Sequence, residues 1–189
     1  MQTPYRPLTL VQKYEFAVLK ITSAGAWPTL AIRAGLDQAG ALPKEWGGGM
    51  DSLAVRMGSL FGRSLVRQNI AFMVRAVDHE DPRYFILGEG SVGRRTRWAI
   101  RQTFIARNDQ GGWMPAYSRF AAQFTTPMIA SAWTPAGFSA TRNLRATTFG
   151  FGFVALSDVC QEFLPDLKRV LRGHPENGGH FAKWRAKIH

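Results

Sequence analysis

Asp78, His79, Glu80 and Asp81 are four consecutive ionisable residues and form the densest polar cluster of the 189-residue chain. A histidine beside carboxylates has the composition of a general base with an orienting acid, so His79, Glu80 and Asp81 are the candidate catalytic residues if the loop folds back on itself. Consecutive side chains point in different directions, so the four cannot all ligate one metal or build one triad. The simpler expectation is a capping loop whose acids pair with surplus arginines and whose His79 is only hydrogen-bonded. No nucleophile, oxyanion donor or cofactor loop can be assigned beside the cluster. The triplet Gly47-Gly48-Gly49 lies near Lys44, but the lysine precedes the glycines and the spacing GxxxxGK[ST] is absent, so an ordinary loop is expected there. The sole cysteine, Cys160, excludes an internal disulfide and a thiolate zinc site and reads as a small core residue. His174 and His180 lack metal-ligand spacing. No cofactor and no metal are expected.

The second chemical signal is charge. The chain carries 24 Lys+Arg against 13 Asp+Glu, a formal net charge of +11. Eighteen of the basic residues are arginine, the side chain that pairs bidentately with phosphate or carboxylate and lies flat on aromatic rings. Anionic partners are therefore expected, either acidic lipid headgroups or nucleic acid. The charge is spread over the chain, without a low-complexity basic arm. With 46% hydrophobic and 20% charged residues the composition is globular, which excludes a disordered chain.

Two helical segments would carry this charge. From Asp51 or Ser52, as caps, a helix is predicted to about Val77. Arg56, Arg63 and Arg67 fall within about 40° of one another on it, while Ala54, Gly58 and Gly62 repeat every four residues on another face. That flat face suits close helix packing, including self-association with a second helix. Gly93–Arg107 is the most basic segment. As a helix it sets Arg94, Arg97 and Arg101 on one side with Trp98, Phe104 and Ile105, and Arg95 lies beside them. Mixed arginine and aromatic character suits a membrane interface, a nucleic-acid groove, or an internal face that reaches the acids of Asp78–Asp81. The candidate anion-binding residues are thus Arg56, Arg63, Arg67, Arg94, Arg95, Arg97, Trp98 and Arg101.

The elements around them read as helical. Leu10, Tyr14, Ala17, Val18 and Ile21 recur at helical spacing after a Thr9 cap, and Pro28 is expected to split Leu8–Leu36 into two helices. Asp81-Pro82 resembles a helix start, ended by Gly88 and Gly90. Asn108–Gly112 is a turn by composition. Phe120–Thr141 runs for 22 residues without a charge. Its hydroxyl residues and Pro127 and Pro135 favour two short segments, in a core or an interface, over a membrane span. Phe149-Gly150-Phe151-Gly152-Phe153 alternates like a strand. The four-residue recurrence of Val159, Phe163 and Leu167, with an acidic stripe of Asp158, Glu162 and Asp166, argues instead for a helix from about Asn143, broken or kinked at Pro165. The opening residues do not read as a signal peptide. The fold expected is one mostly α domain of five or six helices over residues 1–172, with glycine-lined packing faces at 54–62 and 150–152, and a basic flexible tail over 173–189.

Three blocks, Pro43-Lys44-Glu45-Trp46-Gly47, His79 to Phe85 (HEDPRYF) and Gln161 to Leu167 (QEFLPDL), resemble a group of uncharacterised bacterial proteins that carry a similar HEDPRYF block and a later EFWPD block in the same order. The resemblance covers most of Leu8–Arg172 and implies no activity. Members of that group tend to begin with an export signal, which implies the cell envelope, with the cytoplasm as the alternative. Leu164 stands where the group has tryptophan. The leading expectation is a non-enzymatic envelope protein that associates with an anionic membrane surface. A nucleic-acid-binding module using the arginine-rich helices is the first alternative. An enzyme centred on His79, Glu80 and Asp81 is the second.

Overall fold

Thr9 starts the first helix, α1 (Leu10–Thr22): its Oγ1 accepts the Gln12 N–H at 3.3 Å while Gln12 Oε1 accepts the Thr9 N–H at 3.0 Å, a reciprocal capping box. The computed structural model describes residues 5–40 and 42–171. The chain breaks at Ser23–Gly25 rather than at Pro28. That proline lies in the first turn of α2 (Ala26–Ala39), where its missing N–H removes no helical bond. Residues 173–189, expected to be a tail, lie outside the described residues.

After a 3₁₀ turn at Lys44–Trp46, α3 (Met50–Asp78) runs for 29 residues. Its cap is Gly49, at φ +95°, and neither Asp51 nor Ser52 caps it. The Ser52 hydroxyl lies instead 2.9 Å from the Gly48 carbonyl, tying the glycine loop down. His79 ends α3 at φ +54°, a left-handed conformation commonly given to glycine or asparagine. The short helix expected after Asp81-Pro82 does not form. Asp81 Oδ1 accepts the Arg83 N–H at 2.9 Å, and the segment runs extended, its Asp81 N–H donating to Arg107 O at 2.7 Å. Ser91 caps α4 (Val92–Phe104), which ends three residues earlier than its charge pattern predicts. Ile105–Arg107 (β1) turns away to pair antiparallel with Trp113–Pro115 (β2), Arg107 opposite Trp113, around the turn at 108–112.

The uncharged stretch supplies most of α5 (Tyr117–Ala130), which contains Pro127, and the irregular link to α6 (Ala140–Leu171). No helix among the described residues is long and apolar enough to cross a membrane. The 32-residue α6 passes through Pro165 without ending. Glu162 and Asp166, one turn apart and on either side of the proline, are both held by Arg95, which offsets the lost backbone bond. Cys160 is exposed, correcting its expected core place. The inward face of α6 carries Asp158 and Glu162, and a residue two positions from Asp158 points the opposite way. The helices pack in a row: α1 and α2 on α3, α3 on α5, α5 on α6, and α6 on α4.

The interior of this mostly α domain is small and polar. Among the described residues the buried apolar ones are eight alanines plus Ile21 and Leu60, whereas Arg56, Arg75, Glu80, Asp81, Arg95, Gln102, Gln123, Asp158 and Glu162 are all buried. Large apolar side chains face outward from every helix, among them Leu19, Ile32, Met73, Ile100, Ile129 and Leu156. Of the glycine faces, Gly150 lies under the Gln123 side chain, and a Cβ added at Gly62 would lie 3.7 Å from the Trp133 ring. Ala54, Gly58 and Gly152 are exposed, and Gly58 borders an open apolar groove between Trp46 and Trp133. Gly150→Ala and Gly152→Ala should therefore differ. The exposed site gains up to about 1 kcal/mol from helix propensity. At Gly150 the new Cβ overlaps the Gln123 amide and displaces its bond to Gly150 O, leaving that variant at least about 1 kcal/mol less stable than Gly152→Ala in urea unfolding.

Candidate functional site

Glu162, fully buried on α6, accepts four hydrogen bonds: Tyr84 Oη at 2.8 Å, Leu87 N at 3.0 Å, Gly88 N at 2.9 Å and Arg95 Nε at 3.0 Å. Arg95 also donates to Glu162 O at 2.6 Å and Asp166 Oδ2 at 2.5 Å, and its guanidinium covers the Phe163 ring. Burial pushes the Glu162 carboxyl up, but the Gly88 and Leu87 N–H groups, Arg95 and Tyr84 outweigh it and hold it below its ordinary value. The HEDPRYF and QEFLPDL blocks thus meet through Tyr84 and Glu162. Leu164, the departure from the resembled group, is half-exposed and outside this contact.

His79, Glu80 and Asp81 do not converge. His79 is exposed, with Nδ1 3.5 Å from Asp109. The buried Glu80 accepts Ser118 N at 2.9 Å and Ser118 Oγ at 2.6 Å, and so caps the start of α5, where Ala116 has no side chain to do so. Asp81, with no exposed side-chain surface, accepts Tyr5 Oη at 2.7 Å and Arg83 Nη2 at 2.6 Å. Burial raises the Asp81 carboxyl, but these partners bring it below its ordinary value, and burial with the same Asp81 bond pushes Tyr5 up to about 12. Among the described residues, no three His, Cys, Asp or Glu side chains are grouped to hold a metal.

The eight predicted anion-binding residues divide. Arg56, 1% exposed, is spent on Leu42 O (2.8 Å), Pro43 O, Gly47 O and the Gln38 amide oxygen, and closes the glycine loop. Arg95 is spent on α6, rather than on the acids of 78–81. Trp98 donates to Phe85 O at 2.8 Å, and Arg101 lies against Trp98 and Trp113, whose rings meet edge to face. Arg94, Arg97 and Arg101 remain exposed on α4. Arg63 bonds Thr134 at 3.3 Å, and its Nε and that of Arg67 are buried without a partner.

Arg67 opens into a cavity of about 240 Å³ where α1, α2, α3, α5 and α6 converge. Lys20, Arg33, Arg67, Arg75 and Arg119 line it against one carboxylate, Asp158, a net of four positive charges. Asp158 is committed to Arg119 at 3.1 Å and to Thr103 at 3.2 Å. Arg75 is 8% exposed; its Nε reaches Ser118 Oγ at 3.1 Å while its Nη1 has no partner. Burial, with Arg33 and Arg63 nearby, pulls Arg67 down to about 10; burial pulls Arg75 to about 10 with Arg119 adding to it, against the pull of Glu80 and Asp81. Burial lowers the Lys20 ammonium against the pull of Asp158, with Arg119 and Arg75 adding to it, and burial raises the Asp158 carboxyl despite Arg119. The cavity lining thus carries an excess of positive charge over carboxylate.

No family model, curated protein or solved structure matches the chain. Sequence reasoning identified Arg67 but missed Lys20, Arg33, Arg75, Arg119 and Asp158. One signal was available: Arg67, Ala71 and Arg75 recur every four residues, two arginines flanking a small residue on one helix face.

Two outcomes follow for the Glu162 cluster. Glu162→Gln leaves the buried Arg95 with Asp166 as its remaining carboxylate and weakens the charge-assisted bonds from Arg95, Tyr84, Leu87 and Gly88, and should cost about 1.5–3 kcal/mol in urea unfolding at neutral pH. Because Glu162 and Asp81 have folded values below their ordinary 4.5 and 3.8, their contribution is full above those values and is lost as pH falls through the folded ones. Asp158, raised by burial, acts in the opposite direction. Stability should fall on acidification below about pH 4.5, and less steeply in Glu162→Gln.

Proposed function

We propose that this protein is a non-enzymatic component of the bacterial cell envelope that associates with an anionic membrane surface. One observation carries the reading: alanines and hydrogen-bonded polar groups fill the interior while large apolar side chains face outward on all six helices. Monomers in water rarely leave extended apolar patches uncovered. Helices that lie in the headgroup boundary bury such side chains in acyl chain and keep basic residues at the phosphates. Arg94, Arg97 and Arg101 are the exposed basic residues of α4, beside Val92, Ile100 and Phe104. The compartment rests on the resemblance to exported proteins.

The nucleic-acid alternative has less to support it, since stacking needs free aromatic faces. Guanidinium groups already lie over the rings nearest the basic helix: Arg101 over Trp98 and Trp113, and Arg107 over Phe85 and Trp113. The enzymatic alternative lacks a converging His79, Glu80 and Asp81.

Flotation with vesicles of mixed phosphatidylglycerol and phosphatidylcholine, beside phosphatidylcholine alone and a gel shift with DNA and RNA, separates these readings. The protein should float with the anionic vesicles and shift neither nucleic acid at physiological salt. Replacing Arg94, Arg97 and Arg101 together by glutamine should weaken flotation more than tenfold, at about 1 kcal/mol per basic residue. A salt-dependent gel shift without flotation would reject the membrane reading in favour of the nucleic-acid one.

A further inference from the structure

We propose that the cavity between Lys20, Arg33, Arg67, Arg75 and Arg119 is a binding site for a phosphate group, and that its apolar wall admits the first carbons attached to that phosphate. This inference stands apart from the membrane-surface reading, because none of these side chains belongs to the exposed arginines of α4.

The first support is an imbalance of donors. Buried arginine nitrogens normally have acceptors, as those of Arg56, among carbonyls, and Arg95, between two carboxylates, do; Arg63 Nε and Arg107 Nε, outside the cavity lining, do not. At the cavity, Arg67 Nε and Arg75 Nη1 are buried with none. A missing acceptor that is itself an anion would satisfy both.

Charge is the second support. Five cations from four helices surround one carboxylate, and that carboxylate already serves Arg119 and Thr103. Gathering like charges is unfavourable even in a half-open cavity, where Lys20 is exposed and Arg33, Arg67 and Arg119 are partly buried, and groups kept in such a state cluster at binding sites. Glu80 and Asp81 lie near Arg75, but Ser118 takes both oxygens of Glu80, while Tyr5 and Arg83 take those of Asp81. A carboxylate ligand would bring one charge and two oxygens. A phosphate monoester brings nearly two charges and three terminal oxygens, which suits several separated guanidinium groups better.

Size and wall character limit the rest of the ligand. A cavity of about 240 Å³ is smaller than most drug-sized sites, which start at about 300 Å³. It holds a headgroup, and a longer chain must leave through an opening. Phe16, Phe153, Val154, Ala71 and Ala122 form the apolar side, with Arg33 lying 4.8 Å over the Phe153 ring. The chemistry is shared by two sources, the headgroup of an acidic phospholipid and a free phosphate or small phosphate ester.

Titration calorimetry on the full chain, at an ionic strength held constant with chloride, distinguishes them with three probes: inorganic phosphate, soluble dihexanoyl phosphatidic acid and dihexanoyl phosphatidylcholine. Saturable binding of phosphatidic acid, tighter than inorganic phosphate and competed by it, would identify the headgroup. Binding of inorganic phosphate with equal or greater affinity would identify the free ester or ion. Arg67→Met tests the site itself. With no acceptor for its Nε, Arg67 makes no bond that folding needs, so the variant should melt no lower than wild type without ligand, yet bind the preferred probe at least tenfold more weakly. Arg142→Met, at an exposed residue whose guanidinium bonds Gly137 O, should bind as wild type does. Absence of binding by both phosphate probes, equal binding of phosphatidylcholine, or unchanged affinity in Arg67→Met would overturn the proposal. The variant with Arg94, Arg97 and Arg101 replaced by glutamine should lose flotation yet bind the soluble phosphate probes as wild type does, so failure of the cavity and failure of the membrane reading are read separately.

Discussion

The Glu162 carboxylate is the point on which the second half of the fold depends. It lies inside the protein without exposure, which would be costly for an isolated charge. Two backbone N–H groups, a tyrosine hydroxyl and Arg95 supply what water would have supplied. Each of those donors comes from a different part of the extended 81–88 segment or from α4. The one carboxylate therefore fixes α6 against α4 and holds down a segment with no secondary structure of its own. Asp166 extends the clamp across Pro165 and accounts for a helix that continues where the residue type argues for a break.

The same device recurs wherever this molecule needs rigidity. Glu80 caps α5 from outside the helix, Asp81 gathers Tyr5 and Arg83, Arg56 closes the glycine loop, and Lys13 reaches Asp109 at 2.8 Å. With an interior of alanines, little stability can come from large buried side chains, so satisfied polar networks specify how the helices meet. The cavity is the exception that gives this pattern its meaning. At the cavity, five cations face one carboxylate, and Arg67 Nε and Arg75 Nη1 are buried without an acceptor, an imbalance of charge that the proposed anion would relieve.

Much of the fold was legible because helix periodicity is local. The Thr9 cap, the long α3, and a helix through the Phe-Gly repeat all follow from spacings of three and four residues. The misreadings have a common cause. Asp81-Pro82 has the residues of a helix start, but Asp81 was claimed by Arg83 and Tyr5. Pro165 has the residue type of a break, but Arg95 bridged it. Cys160 has the usual character of a core residue, but it fell on the outward face of a helix whose inward face is acidic. In each case a partner distant in sequence decided among conformations that local preference left open.

The site follows the same division. Charge and arginine content, read from composition, raised the expectation of an acidic partner, and the stripe on α3 included Arg67. Which arginines are available was decided by tertiary structure. Arg56 and Arg95 look the same in sequence as Arg67, yet Arg56 has its hydrogen bonds met by carbonyls, Arg95 is paired with two carboxylates, and Arg67 is left facing a cavity. Composition states how much charge a chain carries. Only the folded arrangement states which charges find partners, because pairing depends on distances between residues on different helices. The sequence by itself determined a basic, mostly helical protein; the packing of α1, α2, α3, α5 and α6 decided where its unspent charge is gathered.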